Sequence, residues 1–330
     1  VTSVYPEQER TEWITRQRPA RDAALDPFKP HGFFLEEERS SSGEILSSLT
    51  ILLTNKECPW RCLMCDLWKN TLTYSVPAGA IPAQIDYALC RTDSRPQQIK
   101  LYNSGSFFDP AAIPVSDYEA IAEKVSFAQR VIVESHPRLV GEKAIRLRDL
   151  FNDSTIQRFN SSTVQLEVAM GLETVHPDVL PRLNKKFSLA DFAAAANFLR
   201  SEGIDLRVFL LIRPPFVGEA GAVEWAVKSA EFAFSCSATV VSLIPTRAGN
   251  GAMERLMESG EFSPPRLSTL EKAFDECLKL KRGRVFADLW NVEQVSNCPH
   301  CLERRRARLH EMNLTQKTAP PVQCRSCNGW

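Results

Sequence analysis

The run Leu49-Thr50-Ile51-Leu52-Leu53-Thr54, followed at once by Lys56-Glu57-Cys58-Pro59-Trp60-Arg61-Cys62-Leu63-Met64-Cys65, decides how the rest of the chain is read. Its first part is rich in β-branched and aliphatic residues and reads as a strand. Its second part sets three cysteines at C-x3-C-x2-C spacing. Structural zinc sites normally take four protein ligands to complete a tetrahedron, and electron-transfer clusters take four thiolates to cap all four irons. Three close cysteines suit a [4Fe–4S] cube with one iron left open to a substrate or cofactor. The competing reading is one half of a zinc site. A strand running straight into a ligand loop is the order expected at the C-terminal mouth of a (β/α) barrel.

Working outward, short β-prone runs recur at 98–102, 130–134, 164–170, 206–212, 239–244 and 284–290, with helical patterns between them. Ser116-Asp117-Tyr118-Glu119 has capping-box spacing ahead of Ile121, Ala122 and Val125. Ser188 precedes a stripe of Leu189, Phe192, Ala196 and Leu199 that Gly203 ends. Ser268 opens a helix bearing Phe274, Cys277 and Leu278. Alternating strands and helices imply a parallel sheet with right-handed crossovers. No G-x-G-x-x-G follows any of these strands, which argues against a Rossmann fold. The expectation is an α/β chain: an N-terminal extension at 1–46, partly helical around Glu9–Arg16, a complete or partial (β/α) barrel at 47–290, and a small cysteine-rich segment at 291–330.

Composition narrows the function. The 330 residues are 44% hydrophobic and 24% charged, which suits an ordinary globular protein. The 40 basic and 40 acidic side chains cancel, which argues against broad non-specific binding to a polyanion. No apolar stretch approaches the roughly 20 residues of a membrane span, and the first residues resemble neither a signal nor a transit peptide. Seven of the ten cysteines stand at short ligand spacings and, without a secretion signal, read as metal binding in the cytoplasm. Cys90, Cys236 and Cys277 stand apart and read as small hydrophobes.

Polar residues at strand exits face the active site in a (β/α) barrel. Here the second strand runs into Asn103-Ser104-Gly105-Ser106, the third into Glu134-Ser135-His136-Pro137, the fourth into Gly171-Leu172-Glu173-Thr174, and the fifth into Arg213-Pro214-Pro215-Phe216. Each alone reads equally as a turn or a solvated charge; their recurrence is the signal. His136, before a proline, reads as a surface turn histidine.

The triplet resembles the signature of radical S-adenosylmethionine (SAM) enzymes. Cys-Pro-Trp-Arg-Cys-x-x-Cys-Asp-Leu-Trp, Asn-Ser-Gly-Ser-Phe, Val-Glu-Ser-His-Pro, Gly-Leu-Glu-Thr and Leu-Ile-Arg-Pro-Pro-Phe together resemble the radical SAM subunit of archaeosine synthase. More distantly they resemble the elongator catalytic subunit. The resemblance covers roughly residues 47–290 and implies a [4Fe–4S] cluster on Cys58, Cys62 and Cys65, with SAM chelating the open iron. It implies that Met64 lies against the SAM adenine and that Asn103, Ser104, Gly105 and Ser106 receive the SAM amino group. The common form there is Gly-Gly-Glu, from which this chain departs. It further implies that Glu134 and Glu173 reach the ribose hydroxyls or amine, and that Arg213 pairs with the methionine carboxylate or substrate. The archaeal enzyme works with a partner protein on a lysine adduct of a 7-deazaguanine in tRNA, cleaving a C–N bond to leave a formamidine. A reductant such as flavodoxin or ferredoxin is implied as well. The alternative is a radical SAM enzyme of secondary metabolism acting on an amino acid, a peptide or another small molecule.

Cys298-x2-Cys301 and Cys324-x2-Cys327 form a four-ligand set that suits structural Zn2+ or an auxiliary [4Fe–4S] cluster. The segment has too little apolar material for its own core, so the expectation is that the metal holds it together. Between the pairs lies Glu303-Arg304-Arg305-Arg306-Ala307-Arg308, which reads either as a phosphate grip for RNA or as a solvated helix face.

Overall fold

The computed structural model describes residues 3–21, 25–153, 155 and 163–327. The two expected terminal segments therefore run over residues 1–2, 22–24 and 328–330, which lie outside the described residues. The strands are β1 (Gly32–Arg39), β2 (Ile45–Leu52), β3 (Gln98–Tyr102), β4 (Arg130–Glu134), β5 (Gln165–Glu173), β6 (Asp205–Ile212), β7 (Val240–Pro245) and β8 (Arg284–Ala287). They form one sheet in chain order. β1 is antiparallel to β2, and every later pair is parallel.

The helices are α1 (Arg10–Gln17), α2 (Ala80–Leu89), α3 (Tyr118–Val125), α4 (Glu142–Phe151), α5 (Val179–Arg182), α6 (Leu189–Ser201), α7 (Glu219–Ser235), α8 (Ala252–Glu258), α9 (Leu267–Lys279) and α10 (Pro299–Thr315). Ser188 and Asp191 close a capping box at the start of α6. The box expected from Ser116 does not form. Asp117 instead accepts from the Gly79 backbone N–H at 2.9 Å, tying α3 to the start of α2.

The strands alternate. Leu49, Ile51, Ile99, Leu101, Val131, Val133, Val168, Met170, Val208, Leu210, Val241 and Leu243 join one apolar core with the helices. The alternate residues point to the other face, and Lys100, Arg130, Glu167, Arg207 and Arg284 among them are charged. A parallel sheet covered on both faces by apolar layers reads as unbroken apolar runs; this one alternates because its second face holds ion pairs. Arg207 on β6 pairs with Glu38 on β1 at 2.5 Å and with Glu167 at 2.6 Å. In a flat sheet β1 and β6 would lie about 24 Å apart, five strand spacings of ~4.8 Å. The Arg207–Glu38 pair therefore requires the sheet to curl into a partial barrel.

β1 and β8 share no ladder among the described residues; α10 closes the seam instead. Asn313 on α10 and Gln316 at its C-terminal cap hydrogen-bond to both backbone groups of Ala287 and Val285, at 2.7–2.9 Å, much as a neighbouring strand would. Leu309 and Met312 of α10 join the main core.

Three expectations change. The stretch 1–46, read as an irregular extension, contributes β1 to the sheet. The charges Glu36, Glu37, Glu38 and Arg39 hid that strand, because its inward side chains pair across the barrel. The 291–330 segment is held by α10 packing as well as by any metal. Finally, the arginine run grips carboxylates. Arg305 is bidentate to Glu271, Arg308 pairs with Asp275 at 2.9 Å, and Arg306 pairs with Glu293 and Glu303. Buried Arg305 and Arg308 depart from the expected solvated face, while exposed Arg304 and the Arg306–Glu303 pair keep to it.

The interior pairs give a stability prediction. Lys100 and Arg207 both close on Glu38, which is buried. Burial alone would raise its carboxyl, but the two cations outweigh that and hold it well below the usual carboxylate range. Glu38→Gln leaves two buried cations short of a partner and should cost about 3–5 kcal/mol in denaturant unfolding. Because the folded value is depressed, this stability is present above the unfolded value of about 4.3 and declines as pH falls below it. A wild-type midpoint that is flat between pH 5 and pH 3 would contradict this.

Candidate active site at the strand exits

The three cysteines lie on the segment that leaves β2, and that segment is pinned along its length. Leu53 N–H donates to Tyr102 O at 2.7 Å, and Glu57 N–H to Leu72 O at 3.0 Å. Leu63 N–H donates to Leu183 O at 2.9 Å. Asn184 donates to the Arg61 carbonyl at 2.7 Å. Asn250 donates to the carbonyls of Leu63 and Cys65 at 2.7 and 3.1 Å. Glu57, just before Cys58, collects Arg18, Arg21 and Arg61. The loops after β5 and β7, the end of β3 and the N-terminal arginines thus hold the cysteine loop in one shape. Burial pushes all three thiols up, Cys58 to about 12, so the protons leave readily only when a cation replaces them.

The turn after β3 sits directly on this loop. A Cβ added to Gly105 would lie 3.1 Å from the Cys58 Cβ, so glycine permits the approach. Asn103 is fully buried, and neither its Oδ1 nor its Nδ2 has a partner among the described residues. A buried amide left unpaired on both atoms costs free energy unless something else binds it. Ser106 and Ser135 hydroxyls meet at 3.1 Å. Burial raises the Glu134 carboxyl to about 7, opposed by the backbone N–H groups of Gly105, Asn103 and Ser104 and by the charge of Lys185. Glu134 therefore faces this same turn.

Glu173 is buried and pairs with Lys185 Nζ at 2.5 Å. β5 bulges between Gly171 and Glu173, and Glu173 takes φ +67°. A Cβ on Gly171 would come within 2.2 Å of Glu173 Oε1 and 2.7 Å of Lys185 Nζ, so Gly171 makes room for the pair. The Lys185 charge is felt by Cys58, Cys62 and Glu134, which places the ammonium among them. Positive φ recurs at Ser104 (54°), Glu173 (67°) and Arg213 (56°), each at a strand exit. Left-handed backbone in non-glycine residues costs on the order of 1–3 kcal/mol each and gathers at functional sites.

Two sequence expectations shift. Arg213 leaves the cysteine loop. It pairs with Glu219 at 2.5 Å and donates to Pro264 O at 2.9 Å, lining a cleft of about 390 Å³ with Gln294 and Asn297. Its side chain thus reaches the first residue of α7 and the segment that leads into α9. His136 is buried, not a surface turn residue. It stacks on Trp60 with ring centroids 3.6 Å apart, and burial lowers its imidazole to about 4. Neutral, it donates Nε2–H to Lys185 O at 2.8 Å and accepts from Arg138 N–H on Nδ1. Met64 is half-buried and packs against two small apolar groups that include Leu63 and Leu183.

Lys185, Asn184 and Asn250 were missed from the sequence. Asn250 sits in Thr246-Arg247-Ala248-Gly249-Asn250, a polar strand exit of the kind singled out elsewhere. Asn184 and Lys185 follow a one-turn helix, and no spacing marks them.

Cys298 and Cys301 stand at the start of α10, opposite Cys324 and Cys327. The sulfurs of Cys298 and Cys324 are 3.9 Å apart, and those of Cys301 and Cys327 are 3.7 Å apart. All four lie within 4.8 Å of one another, the one group of three or more potential ligands among the described residues that does so. They can hold a metal.

No family model matches the chain. It is 27% identical over 297 residues to the archaeosine synthase subunit beta of Methanosarcina acetivorans, covering 84% of this chain and 82% of that protein. It is 29% identical over 200 residues to the subunit of the same name from Thermococcus kodakarensis, covering 58% of each. An uncharacterized protein of Methanocaldococcus jannaschii is 24% identical over 327 residues, covering 92% and 87%. Among solved structures, Methanocaldococcus infernus Elp3 with an N-terminal deletion is similar at TM-score 0.48 and 15% identity, covering 71% of this chain and 59% of that one. The resemblance seen in the sequence thus meets relatives that carry the archaeosine synthase subunit name. No helix among the described residues is long and apolar enough to cross a membrane.

Proposed function

We propose that the chain is a radical SAM enzyme, and that its substrate is the lysine-bearing 7-deazaguanine of tRNA, from which it cleaves a C–N bond as an archaeosine synthase beta subunit. The observation that carries the cofactor reading is Asn103. Its fully buried amide, with neither atom partnered among the described residues, belongs to the turn that rests on Cys58, and a bound polar group would complete it. The cysteine triplet also fits. Its sulfurs are not gathered onto one point as the C-terminal four are, which suits thiolates capping separate irons. Cys58, Cys62 and Cys65 would hold the cluster, which with SAM would supply a 5′-deoxyadenosyl radical by one-electron cleavage of SAM.

The chain's own residues do the rest. Asn250 and Asn184 fix the cysteine loop through its carbonyls. Asn103 offers one donor and one acceptor to SAM. Glu134 orients the 103–105 turn through its N–H groups and presents a carboxyl to the ribose or amino group. Lys185 and Glu173 place a balanced pair of charges beside the loop. The relatives' names, with the coverage above, support the tRNA reading; "subunit beta" also implies a partner subunit. Flavodoxin or ferredoxin would supply the electron. The test is 5′-deoxyadenosine formation by anaerobically reconstituted, reduced protein, followed by modified-nucleoside profiling of tRNA from a deletion strain. Unchanged archaeosine in that strain would sink the tRNA reading and favour a small-molecule substrate.

For the C-terminal cysteines we propose a single tetrahedral Zn2+. Metal–sulfur bonds of about 2.3 Å give a tetrahedron edge of about 3.8 Å, the separation the sulfur pairs show. In a [4Fe–4S] cube each thiolate caps its own iron, which spreads the sulfurs further. Metal analysis should find one zinc and about four irons per chain. Eight irons and no zinc would reverse the assignment. Cys324→Ser should lower thermal stability before it lowers iron content.

A further inference from the structure

The exits of β7 and β8 carry a pair of charges that the cofactor site does not use. Arg247 Nη2 meets Asp288 Oδ2 at 3.0 Å and also donates to the Trp290 carbonyl. Asp288 Oδ1 accepts the Trp290 N–H at 2.9 Å. The turn 288–290 thus locks both side chains, yet each keeps unused capacity. Arg247 Nε is buried with no partner, and Nη1 has no hydrogen bond among the described residues. Both Asp288 oxygens retain a second lone pair. Glu36 on β1 adds negative charge beside Asp288. Trp290 is 55% exposed and packs against Phe34 with centroids 5.2 Å apart, an apolar wall at the rim.

The pair belongs to the same mouth as the cysteines. Asn250, which holds the Cys65 carbonyl, is three residues beyond Arg247. Three residues span at most about 11 Å. Asp288 N–H donates to Leu243 O, which continues the β7–β8 ladder to the rim.

We propose that Arg247 and Asp288 seat the zwitterionic end of an α-amino acid carried by the substrate, Arg247 taking the carboxylate and Asp288 the ammonium. With Nη2 engaged by Asp288 and the Trp290 carbonyl, the Nη1 group of Arg247 is the charged donor left for a carboxylate, and a half-buried Asp is a partner for an ammonium. The methylene chain then runs along Trp290 toward the cysteine loop, and the substituted nitrogen lies nearest the radical source. The proposal rests on the reading of a lysine-bearing substrate and names the residues that would hold it. The plain alternative is an ion pair that only ties β7 to β8.

Three probes of one chain length separate these views by calorimetry on reconstituted protein with SAM. They are Nε-acetyl-L-lysine, 6-acetamidohexanoate (carboxylate only) and N-acetylcadaverine (ammonium only). Nε-Acetyl-L-lysine should bind about tenfold or more tightly than either truncated probe, as expected for two charge-assisted contacts. Arg247→Gln should weaken 6-acetamidohexanoate and spare N-acetylcadaverine; Asp288→Asn should do the reverse. Misfolding cannot produce opposite selectivities. Equal binding of all three probes to the wild type, no measurable binding, or equal losses in both variants would overturn the proposal. SAM cleavage by the wild type, measured separately, reports on the cofactor reading, so the two fail independently.

Discussion

Alanine at any one of Cys58, Cys62 and Cys65 is expected to reduce 5′-deoxyadenosine formation to background. A cube held by two thiolates has no stable site with one open iron, so the loss should be complete and not graded. Iron content should fall with it. Cys90→Ala, at the C-terminal cap of α2, should retain both iron and turnover. The three mutants should also differ little in melting temperature before reconstitution, because the loop's shape is set by Asn184, Asn250 and the Glu57 ion pairs and not by the thiols. Turnover persisting in any triplet mutant would remove the cluster from this loop.

Much of the architecture was legible because it rests on local signals. The Leu49–Thr54 run, the alternating strands and the Ser188 cap each act over a few residues, and the structure keeps them. β1 was not legible. Its Glu36, Glu37, Glu38 and Arg39 look like a solvated charge run, and only contacts from Lys100 on β3 and Arg207 on β6 show that Glu38 is an interior residue and that Glu36 pairs across the sheet. A charge cancelled by a partner more than 60 residues away leaves no mark in its own neighbourhood. The arginines of α10 were misread for the same reason, since Glu271 and Asp275 lie on α9.

The strand-exit rule pointed to Asn103, Glu134 and Glu173, which gather beside the cysteine loop, because it depends on topology, which periodicity predicts. It failed at Arg213, where the rule supplies a position but not a direction. With φ +56° the side chain goes to Glu219 and Pro264 instead of the cysteine loop. Lys185 is the converse case. It arrives from a loop, not a strand, and its ammonium reaches the site because Gly171 leaves the space for it.

That dependence on Gly171 gives the second large effect. Glu173→Gln removes the partner of a buried ammonium and should cost about 3–5 kcal/mol of stability. It should also lower SAM affinity roughly ten- to a hundredfold, through loss of a charge-assisted contact or displacement of Lys185. Iron should be retained, since no ligand is touched. Gly171→Ala changes no charge, yet its Cβ would overlap Glu173 Oε1 and crowd Lys185 Nζ. The bulge between Gly171 and Glu173 and the left-handed backbone of Glu173 leave little room for retreat. If the pair's placement matters, Gly171→Ala should reproduce the SAM defect of Glu173→Gln. If only the charge matters, Gly171→Ala should bind SAM normally. Wild-type SAM affinity in both Gly171→Ala and Glu173→Gln would take Glu173 and Lys185 out of the cofactor site. A shared defect in both variants, with iron intact, would tie that site to a single strand exit.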